Sequence, residues 1–88
     1  MMRWSEFVAD VKERHYRSTG HELSTVAAEE IVVDRILEGF RDLDEAKMWA
    51  VDFGDRDVVL YDAYGYAVRP SVFAHAITLR EGFEKDVG

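Results

Sequence analysis

Asp57-Val58-Val59-Leu60-Tyr61-Asp62-Ala63-Tyr64-Gly65-Tyr66-Ala67-Val68-Arg69 is the stretch on which the fold turns. Read one way, Val58–Tyr61 and Tyr66–Arg69 pair as a β-hairpin across Asp62-Ala63-Tyr64-Gly65. Asp at the first position and Gly at the fourth suit a type I turn. Read the other way, Val58–Tyr61 is an extended link, and Asp62 caps a helix that carries Ala63, Tyr64, Ala67 and Val68 to Pro70. A lone two-stranded hairpin is marginal in water and the chain offers no third strand, which favours the helix. The expectation is an all-α fold, a compact bundle of four to five short helices. The alternative is three helices, a β-hairpin at about 58–69 and a C-terminal helix.

Upstream of this stretch, Asp42-Leu43-Asp44-Glu45 opens a helix, with Asp42 as cap and Glu45 at the reciprocal capping-box position. Leu43, Ala46, Trp49, Ala50 and Phe53 form its apolar face, and Gly54 ends it. The helix before it runs from Ser24 to Phe40, capped by Ser24 or Thr25, with Val26, Val33, Ile36, Leu37 and Phe40 on one stripe. The first helix spans about Trp4 to Arg17, capped by Ser5, with Trp4, Phe7, Val8, Val11 and His15 at 3–4 spacing. Ser18-Thr19-Gly20 breaks it, Gly20 suiting the left-handed position past a helix end. Downstream, Ser71 to about Glu84 keeps the helical period through Val72, Phe73, Ala76, Ile77, Arg80 and Phe83, with Arg80 the one charge on the stripe.

The chain of 88 residues makes a single helical domain over 1–88, and its 18 acidic against 11 basic residues give a net charge of −7. With no cysteine, disulfides, thiolate metal sites and cysteine nucleophiles are excluded. The start, Met1-Met2-Arg3-Trp4-Ser5-Glu6, meets charge before an apolar run can build, so no signal peptide is expected. No run approaches the roughly 18 apolar residues of a membrane span. A cytoplasmic protein without membrane contact is expected.

The charge is uneven. Residues 21–66 hold twelve acids and four bases, while 1–20 balance at +1 and 67–88 at zero. Glu30, Asp34 and Glu38 recur every fourth residue along one edge of the second helix, a spacing at which carboxylates repel. With Asp42, Asp44, Glu45, Asp52, Asp55 and Asp57 they form the candidate partner-binding set. Such a face either is simply solvated or is offered to a basic partner, above all a nucleic-acid-binding protein. It disfavours direct contact with nucleic acid, whose binders are basic. Ile31, opposite the apolar stripe, with Ala27 and Ala28 on the flanks of that back face, is a self-association candidate for a homodimer. Glu29 falls near the middle of the stripe, where a carboxylate needs a partner such as Arg14 or Arg80.

Catalytic and metal chemistry finds little support. His15, His21 and His75 are scattered and match no zinc spacing, so neither metal nor cofactor is expected. Asp55-Arg56-Asp57 begins like a calcium loop but continues into Val59 and Leu60. None of the six glycines sits in a phosphate-binding pattern, and the serines read as caps. A non-enzymatic protein is expected. Tyr61, Tyr64 and Tyr66 with Trp49 and Phe53 give a local aromatic density, either core packing with exposed phenol tips or a hot spot for a protein partner.

The run Glu45-Ala46, Ala50-Val51-Asp52, Val58-Val59-Leu60-Tyr61-Asp62 and Ala67-Val68 resembles a pattern in small acidic proteins of phages and mobile elements, the Ocr-like anti-restriction proteins that mimic DNA. Asp62 stands where a Thr cap is usual in that pattern, and Lys47 and Met48 replace an apolar residue and a His. The resemblance implies an all-helical fold, action as a dimer, and binding to a host DNA-handling or defence enzyme. The functional expectation is thus a phage-type inhibitor acting through its acidic face. Two alternatives stand beside it: a self-associating structural or adaptor domain, and a winged-helix-like DNA-binding regulator using Arg3, Lys12, Arg14 and Arg17.

Overall fold

The computed structural model describes residues 2–55 and 60–87. The elements, in order, are α1 (Trp4–Thr19), α2 (Thr25–Leu37), α3 (Leu43–Asp55), β1 (Leu60–Tyr61), β2 (Ala67–Val68) and α4 (Pro70–Val87). The fold is therefore mostly helical, in the form with a hairpin between the third helix and the last. Of the expected first strand, Val58 and Val59 lie outside the described residues.

The hairpin displaces the helix expected over 62–70. Leu60 pairs with Val68 and Tyr61 with Ala67, antiparallel. The Gly65 amide donates to the Asp62 carbonyl at 3.0 Å, and the Asp62 amide donates to the Tyr66 carbonyl at 2.9 Å. Gly65 has φ +84°, so a type I turn is followed by a left-handed residue, the usual three-residue hairpin loop. Two local forces oppose the helix. The Asp62 carboxylate accepts from the Tyr64 and Tyr66 amides, each at 2.9 Å, and the Tyr66 amide is the one a helix would spend on the Asp62 carbonyl. Pro70 also biases Arg69 toward extended backbone, and itself opens α4 at a position where its missing N–H costs nothing. The hairpin is not alone in water, because Val68 is buried in the core and Asp62 is held by α2.

Local signals explain the helix ends. Gly20, at φ +75°, ends α1, its amide donating to the Tyr16 carbonyl at 2.7 Å. The cap of α1 is Arg3 rather than Ser5, and the helix runs to Thr19. Ser24 caps α2, its hydroxyl accepting from the Ala27 amide. Helix α2 stops at Leu37, short of the expected Phe40. At α3, Asp42 Oδ1 accepts from the Glu45 amide, and Glu45 Oε2 accepts from the Arg41 amide, each at 2.8 Å.

Helix α2 packs between α1 and α4, and α3 lies on α4. Phe7, Val32, Val33, Phe73 and Ala76 are among the fully buried core residues. Phe73 meets Phe40 at 5.3 Å and Phe53 at 5.8 Å between ring centroids, tying the link after α2, and α3, to α4. One stripe residue of α2 and one on the flank of its back face are placed differently from expectation. Val26, in the first turn of α2, is 62% exposed. Ala28 is fully buried, because α2 is covered on two sides rather than one.

Candidate protein-binding face

The candidate surface is organised around a charged group it conceals. Arg35 of α2 is buried beneath the hairpin turn. Its Nε and Nη2 donate to Asp62 Oδ2 at 2.9 and 2.7 Å, and its Nη1 donates to Asp10 Oδ2 at 3.0 Å. Asp10 Oδ2 also accepts from Arg14 Nε at 2.9 Å. Burial pushes the Asp10 carboxyl up, but hydrogen bonds and charge from Arg14 and Arg35 outweigh it and hold the group below the ordinary value of 3.8. Two arginines and two aspartates therefore cancel, and the Asp62 carboxylate has its acceptor sites filled by two amides and a guanidinium.

The tyrosines divide around this group. Tyr64 stacks with the guanidinium carbons of Arg14 at 4.2 Å and Arg35 at 4.6 Å from its ring centroid. Arg14 Nη2 donates to the Tyr66 hydroxyl at 3.3 Å. Tyr64 and Tyr66 thus both meet arginines from α1 and α2. Trp49 instead meets Phe40 edge-on at 6.3 Å, and Phe53 joins the core. Tyr61 is 65% exposed.

Of the acidic set, Glu30, Asp34 and Glu38 are exposed along the outer edge of α2, and Ile31 lies among them at 41% exposure. Ala27 on the same side is half-buried. Asp34 accepts from Arg80 of α4, so the charge expected on the α4 stripe is neutralised across the helix pair. Glu29 takes neither Arg14 nor Arg80. It accepts from the Trp4 indole Nε1 at 3.1 Å, an interaction for which helical spacing carries no signal. Asp42 and Glu45 are engaged at the start of α3, while Asp44 and Asp52 are exposed on its outer side. Asp55 closes α3, and Asp57 lies outside the described residues. Lys47 reaches Glu81 of α4, which raises the lysine above its ordinary value and lowers the glutamate below its own.

Two grooves flank the buried Arg35. One, about 630 Å³, lies between the end of α2, α3 and β1, walled by Phe40, Trp49, Tyr61 and Phe73 with Glu38 and Glu45. The other, about 700 Å³, lies between α1, α2 and the hairpin turn and includes His15, Ile31, Asp34 and Tyr64. His75 stacks edge-on against Trp4 at 4.6 Å. Among the described residues no group of three or more His, Cys, Asp or Glu could hold a metal, and no helix is long and apolar enough to cross a membrane. No protein-family model, curated protein or solved structure matches the chain.

Proposed function

We propose that this is a non-enzymatic binding protein, an inhibitor of the phage type, that engages a basic surface on a host DNA-handling or defence enzyme through the carboxylates of α2 and α3. One observation supports this reading above the others. Among the described residues, the three bases of this acidic middle are spent on neighbours: Arg35 on Asp62 and Asp10, Arg41 beside Asp42, Lys47 on Glu81. Glu30, Glu38, Asp44 and Asp52 are exposed with no ion-pair partner among the described residues. An uncompensated field of one sign steers and selects a partner of the opposite sign. The exposed Ile31 in the midst of these acids adds an apolar contact to the same face.

The experiment is capture of partners from the source cell at low and high salt by the wild type and by Glu30→Lys/Glu38→Lys. Both positions are exposed, so the variant keeps its fold, which circular dichroism checks. A nucleic-acid-binding protein retained by the wild type, lost in the variant and released by salt is the expected outcome. A partner held equally by both proteins rules out the acidic face.

A further inference from the structure

The groove between the end of α2, α3 and β1 combines two features that meet at no single element. Its walls are aromatic: Trp49 at 44% exposure and Tyr61 at 65%, above Phe40 and Phe73. Its charge is negative. Arg35 contributes to the wall, but its Nε, Nη1 and Nη2 all donate to Asp62 and Asp10, leaving, among the described residues, Glu38 and Glu45 to set the sign. Glu45 spends one oxygen on the Arg41 amide, while Glu38 is exposed and makes no ion pair among the described residues. A flat cation that stacks on rings and donates to two carboxylates suits such a lining better than a neutral apolar side chain or a compact ammonium.

We propose that this groove is the docking site for an arginine of a basic protein segment, its guanidinium lying against Trp49 and Tyr61 and facing Glu38 and Glu45. This rests on the reading of α2 and α3 as the partner-binding face and assigns the anchor within it. The aromatic pair supplies the desolvated centre of the contact, and the outer carboxylates at Glu30, Asp44 and Asp52 act at longer range on the rest of the segment. Affinity then depends on one side chain in the groove, whereas the rate of encounter depends on the whole face.

The probe is a synthetic amphipathic helical peptide of about 15 residues with one arginine on its apolar side, prepared also with Lys and with Gln at that position. Binding is measured by calorimetry at low salt and mapped by amide and indole shifts in two-dimensional NMR. The arginine peptide is expected to bind saturably and to shift the Trp49 indole and the β1 amides. The glutamine peptide should bind about tenfold more weakly, as should the arginine peptide to Tyr61→Ser or Glu38→Gln. Equal binding of the Arg and Gln peptides, or affinities indifferent to Tyr61→Ser and Glu38→Gln, overturns the groove. If those two variants bind normally while Glu30→Lys abolishes binding, the groove is wrong and the acidic face stands. If the arginine peptide does not saturate at all, the groove is likewise rejected, and the capture experiment alone decides the wider face.

Discussion

Arg35 on α2 and Asp62 at the hairpin turn, 27 residues apart in sequence, make a two-pronged contact in which Nε and Nη2 both donate to Oδ2. The side chains are 5% and 0% exposed. The other oxygen of Asp62 holds the turn itself through the Tyr64 and Tyr66 amides. One carboxylate thus shapes the loop and fastens it to the helices, which is how a strand pair of two residues each persists in an otherwise helical domain.

Removing either partner should therefore do more than loosen the loop. Asp62→Ala leaves the Arg35 charge buried with only Asp10 and strips two turn amides of their acceptor. A loss of about 3–5 kcal/mol is expected, a large part of the stability of a domain this size. Asp62→Asn keeps an acceptor for the amides and should fall between that variant and the wild type. Urea unfolding followed by circular dichroism checks the order. Equal stability of Asp62→Ala and wild type would show that the pair does not hold the hairpin.

Acid should weaken the fold in part through Asp10. Its folded-state value lies below the ordinary 3.8 because the guanidiniums of Arg14 and Arg35 outweigh the cost of burial. A group lowered by folding contributes stability that is complete above its unfolded value and is lost as pH falls through the folded one. Thermal midpoints should therefore be insensitive to this group near neutrality and decline below about pH 4. Asp10→Asn, which has no such proton to bind, should start lower and fall less steeply over the same range.

Gly65 tests the turn from its backbone side. At φ +84° it adopts a conformation that L side chains resist, although nothing lies within 4 Å of the place a Cβ would occupy. Gly65→Ala should cost about 1–2 kcal/mol through conformation alone. Gly65→Asn should cost less, since asparagine tolerates the left-handed region. A shift in urea midpoint with an unchanged slope is the signature. An alanine variant as stable as the wild type would mean that the turn readily adopts another form.

The helices were legible because their signals are local. Phe7, Val8 and Val11, then Val33, Ile36 and Leu37, recur with the helical period and are buried where that period puts them. Ser24, Asp42 and Gly20 mark ends that a few residues specify. Arg35 and Asp62 are different: each has a good local explanation, as a surface base and as a helix cap, and their pairing is visible only once the chain has folded back. Glu29 likewise signalled its need for a partner, but the partner is Trp4, a residue that spacing assigns to the core. The acidic candidates were legible as charge, whereas the groove beside them was not, since Trp49 and Tyr61 come from elements whose packing the sequence does not encode locally.

The outer face of α2 invites two kinds of association, and salt distinguishes them. Ile31 is 41% exposed between Glu30 and Asp34, so a homodimer closed by this face would bring Glu30 and Glu38 of both copies, which have no ion-pair partner among the described residues, towards one another. Repulsion of that kind weakens as ions screen it, whereas attraction to a basic partner weakens for the same reason. Self-association through Ile31 must therefore strengthen with salt, and partner binding must fade. At low salt, sedimentation velocity should find the wild type monomeric, with any dimer appearing only as salt is raised and absent in Ile31→Glu. Because Ile31 is partly exposed, that substitution should change folding stability by no more than about 0.5 kcal/mol. A dimer at low salt that survives Ile31→Glu would place the self-contact on another face altogether.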